Sequence, residues 1–335
     1  MERKLASTVV IDDLQPIEGA DLIEVATVKG WKLVVKKNEY QVGDHAIYCE
    51  IDSFLPEKEE FEFLRKTSFR KMAGIPGFRL KTIRLRGQIS QGLLLPVSVL
   101  SGYAYTLGED VSAMLGIVKY EPPVPASLAG VARGNFPSFI PKTDEERVQN
   151  LSKVYEKYRQ HTFYVTEKLD GSSATYYYRD GVFGVCSRNY DLEETPDNSF
   201  WKVARELDLP AKLAALGKNI ALQGELIGEG VQKNPYCILA QTVRFFNVFD
   251  IDTSTYLSLE TFKEIIQQLE LQHVPILDEA FTLPETVDQL LLTAEGASVL
   301  SPAGKHVERE GLVIRSTDRR ISFKAISNKF LLNEN

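Results

Sequence analysis

The residues best suited to chemistry stand together in the run Glu167-Lys168-Leu169-Asp170-Gly171. Residues 163–167 ahead of it alternate as a strand does, and the glycine marks a turn. A lysine at a strand end is held by rigid backbone, and a nearby glycine lets a phosphate come close. That is the setting a lysine nucleophile needs. A second feature is the basic run 65–86, which holds Arg65, Lys66, Arg70, Lys71, Arg79, Lys81, Arg84 and Arg86 with no Asp or Glu. It follows directly on an acidic stretch, 57–62. Segregated charge of this kind is the footprint of a phosphate backbone, with Phe69 and Phe78 available for stacking, although a solvated basic face would look the same. Arg79, Lys81, Arg84 and Arg86 are the candidate nucleic-acid contacts.

Other chemistries find no support. The histidines at 45, 161, 273 and 306 have no metal-ligand spacing, and three scattered cysteines, Cys49, Cys186 and Cys237, fit neither a disulfide framework nor a zinc site. The net charge of −7 does not exclude a nucleic-acid partner, because phosphate binding depends on where charge lies.

The elements that must position these residues divide the 335-residue chain, which exceeds the usual single-domain size. Residues 1–116 read as short strands at 6–11, 23–28, 31–35, 46–51, 78–86 and 93–96, punctuated by glycine turns, and suggest a small closed barrel of the OB type. The proline-rich stretch 117–142 reads as a semi-rigid linker. In 143–335, Thr143-Asp144-Glu145-Glu146 reads as a capping box opening a helix through Tyr158. Strands follow at 163–167, 174–178, 182–186, 220–227, 243–251, 312–316 and 321–325, with Asp180-Gly181 as a hairpin turn and helices at 198–207 and 260–271. Without βαβ alternation the class is α+β, with antiparallel sheets and flanking helices. No apolar run approaches the roughly 20 residues that span a bilayer. The early Asp12 and Asp13 break any signal-peptide pattern, so an intracellular protein is expected.

Several further motifs follow Lys168-Leu169-Asp170-Gly171 in a fixed order: Ser187-Arg188-Asn189, Gly224-Glu225-Leu226, Phe246-Asn247-Val248-Phe249-Asp250-Ile251, Glu310-Gly311-Leu312-Val313-Ile314 and Phe323-Lys324. In this order the second half resembles the covalent nucleotidyltransferase superfamily of ligases and capping enzymes. The resemblance implies that Lys168 becomes adenylylated, with Glu167, Asp170 and Gly171 beside the nucleotide. It also implies that Arg188 contacts the nucleotide, Glu225 the ribose, that Phe246 stacks on adenine, and that Lys324 grips the α-phosphate. Lys168, Lys324 and Arg188 are then the catalytic candidates.

A free lysine, with a pKa of about 10.4, is charged at neutral pH, and lowering that by two units corresponds to about 2.7 kcal/mol. A divalent cation, Mg2+ or Mn2+, held by Asp170, Glu225 and Glu310 through waters, is implied as the cause. Lys142 and Arg147, placed by the capping box at a helix N-terminus, are candidates for the departing pyrophosphate.

Lys324 lies eleven residues before the last residue, leaving no space for a C-terminal OB domain of the sort that DNA ligases and capping enzymes of this superfamily carry. With the OB-like module first, the layout is similar to the Naegleria-type RNA ligases. It implies an ATP-dependent RNA ligase that seals 3′-OH/5′-phosphate nicks in duplex RNA through lysyl-AMP, acting as a monomer. An ATP-dependent DNA ligase, a GTP-using capping enzyme and a non-catalytic nucleic-acid-binding protein are the alternatives. Two departures stand out. Lys324 is followed by Ala325-Ile326 rather than completing a Lys-x-Lys pair, so Lys329 or Arg315 would supply the second cation unless one suffices. Ser172-Ser173 also replaces the arginine typical of DNA ligases after Gly171, which favours RNA.

Overall fold

The structure is a computed structural model that describes residues 3–333. It separates into two compact units. One takes the chain through Pro123 together with Gln149–Lys153 and the residues from Leu331, and the other takes Val124–Val148 and Val154–Phe330.

The first unit is built of small antiparallel sheets. Ala6–Val10 and Leu93–Pro96 flank His45–Cys49, and Asp13–Pro16, Ile23–Val28 and Trp31–Lys36 form a meander. Alternation along these strands turns Ala6, Ile47, Cys49 and Leu95 inward against Leu55, Phe61, Phe78 and Leu115, giving the unit its own core. The expected single strand 78–86 is two strands in different sheets. Ile75–Arg79 pairs with Ser53–Pro56 and Phe69–Met72, whereas Thr82–Leu85 pairs only with Gln88–Gln91. The break falls at Leu80, whose buried side chain and bond from its N–H to the Ser53 carbonyl (2.9 Å) pin the chain before it turns out.

The second unit has two antiparallel sheets. The larger runs, in spatial order, Ala132–Asn135, Tyr190–Leu192, Val182–Cys186, Ser172–Arg179, Ile220–Ile227, Thr242–Asp250 and Thr255–Tyr256. The smaller runs Ile276–Thr282, Thr162–Lys168, Gly311–Ser316 and Ser322–Ile326. Helices Ser199–Glu206, capped by the Asn198 side chain, Leu209–Leu216 and Leu259–Gln268 bury Phe200, Trp201, Leu213 and Ile266 against Tyr176, Leu222 and Phe245. The Asp180-Gly181 turn is as expected, with both residues at positive φ, 50° and 83°. The class is α+β.

Two further expectations need correction. The proline-rich stretch is not wholly a connector: after Pro123 it belongs to the second unit. There Ala132–Asn135 adds an edge strand, and Phe136, Phe139 and Ile140 cover an apolar patch of Tyr177, Cys186, Phe249 and Ile251. Its apolar residues have a sheet face to bury against, which a free linker would leave in water. The capping box does not form either. Helical turns begin only at Val148–Leu151 and continue in Ser152–Tyr158. Upstream, the Thr143 hydroxyl bonds Ser173 (2.8 Å), Gln223 donates to the Pro141 carbonyl (2.8 Å) and the Lys324 N–H to the Glu146 carbonyl (2.8 Å). These partners hold residues 141–147 irregular. Among the described residues no helix is long and apolar enough to cross a membrane.

Candidate active site

Strand register assembles the site. Lys168 pairs with Gly311, Gly311 with Ile326, and Val313 with both Thr166 and Lys324. Residues opposite one another in a ladder share a face, and neighbours along a strand take opposite faces. Lys168, Arg315 and Lys324 therefore project from one side of the smaller sheet, and Glu167 from the other. Gly311 is required here because a Cβ would lie 2.2 Å from the Ala325 carbonyl oxygen.

Lys168 Nζ donates to Glu310 Oε2 at 2.8 Å. Burial pulls the Lys168 pKa down, but Glu310, Glu225 and Asp170 together outweigh it, and the net shift is above the ordinary value. The protein groups alone thus favour the ammonium, and an uncharged amine needs added positive charge nearby. Glu225 points the same way. Burial, reinforced by Glu310 and Asp170 and opposed by Lys168 and Arg188, pushes its carboxyl up to about 8. Burial is the largest cause, so a positive charge near Glu225 would be needed to favour its carboxylate. Among the described residues no three His, Cys, Asp or Glu groups are placed to ligate a metal directly, and Asp170, Glu225 and Glu310 are the carboxylates whose charge acts on Lys168.

Glu167 does not join this cluster. Its carboxylate accepts from the Ser298 hydroxyl and from the Val299 N–H at 2.9 Å, on the far face, where burial raises its pKa. Strand alternation explains the correction. Gly171 is explained differently from the sequence expectation: a Cβ there would meet the Leu226 carbonyl oxygen at 2.4 Å, so the close approach of the neighbouring strand Ile220–Ile227 is what demands the glycine.

Phe246 sits at a bulge. Asn247 pairs with Gln223 and Phe245 with Gly224, so Phe246 is the extra residue. Phe245 is fully buried in the helix-covered core, while the Phe246 ring packs at the other cluster, with Leu169, Ile227, Tyr236, Val274 and Val307. Arg315 lies 5.7 Å from its centroid and is buried by Glu145 (3.2 Å) and Thr166 (3.2 Å). Arg188 pairs with Asp144 at 2.5 Å, and Lys142 donates to Asn189 Oδ1 at 3.2 Å. Arg147 forms a parallel bridge with Lys324, so it reaches this sheet through backbone pairing and not through a helix terminus. Of the two substitutes considered for the missing lysine, Lys329 is exposed and pairs with Glu295 at 3.0 Å, whereas Arg315 stays on the site face.

Sequence reasoning missed Tyr236, whose buried hydroxyl accepts the Asp170 N–H at 2.8 Å, and Glu145, which fixes Arg315. No spacing signal marks either. In the basic run, cations are unequally available. Arg65 is tied to Glu57 and Glu62 and lies over Phe69 and Phe78, and Arg79 pairs with Asp52 (3.2 Å) and lies 4.4 Å from the Tyr120 centroid. Phe78 is fully buried, which removes it as a stacking platform. Arg84 and Arg86 are exposed, Lys81 half-buried.

A family model for an OB-fold domain matches residues 5–97, and one for RNA ligase matches residues 161–329. Among solved structures, a mutant RNA ligase from Naegleria gruberi with AMP and Mn is 42% identical with a TM-score of 0.93, each chain covered over 99%. A mutant of that ligase with ATP and Mn is 43% identical with a TM-score of 0.91, covering 99% of this chain and 98% of the other. The same ligase with pyrophosphate gives 42%, 0.92 and 99% of both chains. No curated protein matches the chain.

Proposed function

We propose, from the premise that this chain belongs to the RNA ligase family and is an ATP-dependent RNA ligase with an N-terminal OB-fold domain, that it seals 3′-OH/5′-phosphate nicks in duplex RNA through lysyl-AMP on Lys168. The observation that carries this reading is the Lys168–Glu310 contact on the same sheet face as Lys324.

In the first step the Lys168 nitrogen attacks the α-phosphorus of ATP and pyrophosphate leaves. Glu310, at 2.8 Å, is the nearest acceptor for the Lys168 proton. Phe246 offers its ring to adenine, backed by Arg315, and Glu225 faces the ribose. Lys324 and Arg188 stabilise charge developing on the phosphoryl oxygens, with Arg147 and Lys142 toward the departing pyrophosphate. Asp170, Glu225 and Glu310 would hold the divalent ion, whose charge favours the neutral amine. AMP then passes from Lys168 to an RNA 5′-phosphate, and the neighbouring 3′-hydroxyl displaces it to close the phosphodiester. The OB module grips the duplex, and the enzyme acts as a monomer inside the cell.

The test is incubation with α-labelled ATP and magnesium, then denaturing gels and mass spectrometry. The parent should carry an AMP adduct on Lys168, Lys168→Ala should carry none, and the parent should close RNA nicks in preference to DNA nicks. An adduct on another residue, or none, would remove the mechanism.

A further inference from the structure

The ribbon formed by Thr82–Leu85 and Gln88–Gln91 carries exposed aliphatic and cationic side chains side by side. It closes on a two-residue turn, Arg86-Gly87, with both residues at positive φ (48° and 82°), the form that matches strand twist. Its base is anchored, since Ser90 is buried and its hydroxyl accepts the Val34 N–H at 3.0 Å. Its far half is bare. Ile83 and Leu85 are 44% and 40% exposed, and alternation places them on one face opposite Ser90 and Gln88. Arg84 lies on the other face, where it donates to the Gly87 carbonyl at 3.1 Å, and Arg86 stands at the tip. Two adjacent aliphatic side chains left in water on this ribbon gain little from folding and would gain from being covered by a partner.

We propose that this ribbon is a duplex-RNA reader: its Ile83–Leu85 face lies on the ribose-lined shallow groove while Arg86, at the tip, and Arg84 reach flanking phosphates. The inference deepens the ligase reading and rests on it for the identity of the nucleic acid. Charge complementarity selects the occupant, because residues 65–86 contain no carboxylate and the arginines nearest the aliphatic pair are the exposed ones. A shallow groove presents sugars and 2′-hydroxyls to a flat surface, so recognition there is by shape with little base readout. Gln88, beside Leu85, supplies an amide for a 2′-hydroxyl.

The experiment uses the full-length protein carrying Ile83→Ser and Leu85→Ser together. Labelled nicked RNA duplex, a DNA duplex of the same sequence and single-stranded RNA are titrated by fluorescence anisotropy, and lysyl-AMP formation is measured without RNA. The double variant should bind nicked RNA duplex about tenfold more weakly, with an unchanged salt slope and an unchanged lysyl-AMP yield. Its binding to single-stranded RNA and DNA duplex should change less than twofold. Equal losses on all three nucleic acids, or no loss on RNA duplex, would overturn the proposal. Because the variant's melting temperature is recorded alongside, a loss accompanied by unfolding is separated by Arg86→Ala, which should lower the salt slope by roughly 0.7–0.9. A parent that binds duplex but never forms lysyl-AMP would instead refute the ligase reading and leave the ribbon test intact.

Discussion

The two cation-bearing regions of this chain are organised on opposite principles. In the ligase domain, Lys168 and Lys324 are separated by some 150 residues of chain yet share a face because three strands pair in one register. In the OB domain eight cations are crowded into 22 residues, and the fold then spends several internally: Arg65 and Arg79 face their own domain's carboxylates and rings. Proximity in sequence therefore overstates a functional patch, whereas register builds a site from residues that look unrelated. What matters in both cases is which way the backbone aims each side chain.

The sharpest attack on this comparison is at the sheet. Glu310→Gln and Lys324→Ala should each slow lysyl-AMP formation by about 10²–10³, the scale for groups serving a developing charge. Single-turnover rates decide it, and a loss under fivefold for either would detach that residue from the site. Next, Phe246→Leu should raise the apparent KM for ATP about tenfold with a smaller change in kcat, whereas Phe245→Leu should lower the melting temperature and leave KM alone. A reversal of that pattern would contradict the faces assigned to the two rings.

A third pair probes the OB domain. Arg79→Ala should cost about 1–2 kcal/mol in urea unfolding, through a partly buried ion pair and a ring contact, and leave the salt dependence of RNA binding nearly unchanged. Arg84→Ala should do the opposite, with stability kept and the log–log salt slope reduced by roughly 0.7–0.9. Matching effects would erase the distinction drawn between spent and available cations.

The smallest effect concerns Glu167. Its carboxyl is raised by burial above the unfolded value of 4.5, so in the folded protein it holds its proton to higher pH. The stability this provides is complete below 4.5 and is lost as pH rises through the folded value. Glu167→Gln should gain melting temperature relative to the parent as pH increases above 4.5, and the gap should close in acid. A gap that stays constant with pH would show the carboxyl is not titrating there.

Much of the fold was legible because strand alternation and glycine turns are local signals. The strands at 23–28, 182–186, 220–227 and 93–96 have the bounds the pattern implies, and the antiparallel α+β class follows from them. Lys168, Glu310 and Lys324 were legible as motifs, and the structure places Lys168 against Glu310. What sequence did not carry was side-chain direction and competition for partners. Glu167 sits beside Lys168 in the chain but behind it in the sheet. The capping box at Thr143 has the right letters, yet Ser173, Gln223 and Lys324 claim that segment from far along the chain. Tyr236 and Glu145 act through single hydrogen bonds or ion pairs with no recurring spacing.

The extra residue in the strand Thr242–Asp250 sets a frame for everything after it. Phe245 and Phe246 take opposite faces by ordinary alternation, and the skipped step then brings Val248 back to the helix-covered side with Phe245 while Phe249 turns to the other layer. Deleting one residue there would restore an unbroken ladder with nearly the same composition and hydrophobicity. The residues beyond the deletion, Val248, Phe249 and Ile251 among them, would then turn toward the wrong layer, so a lesion of one codon at this point should lower stability along with activity.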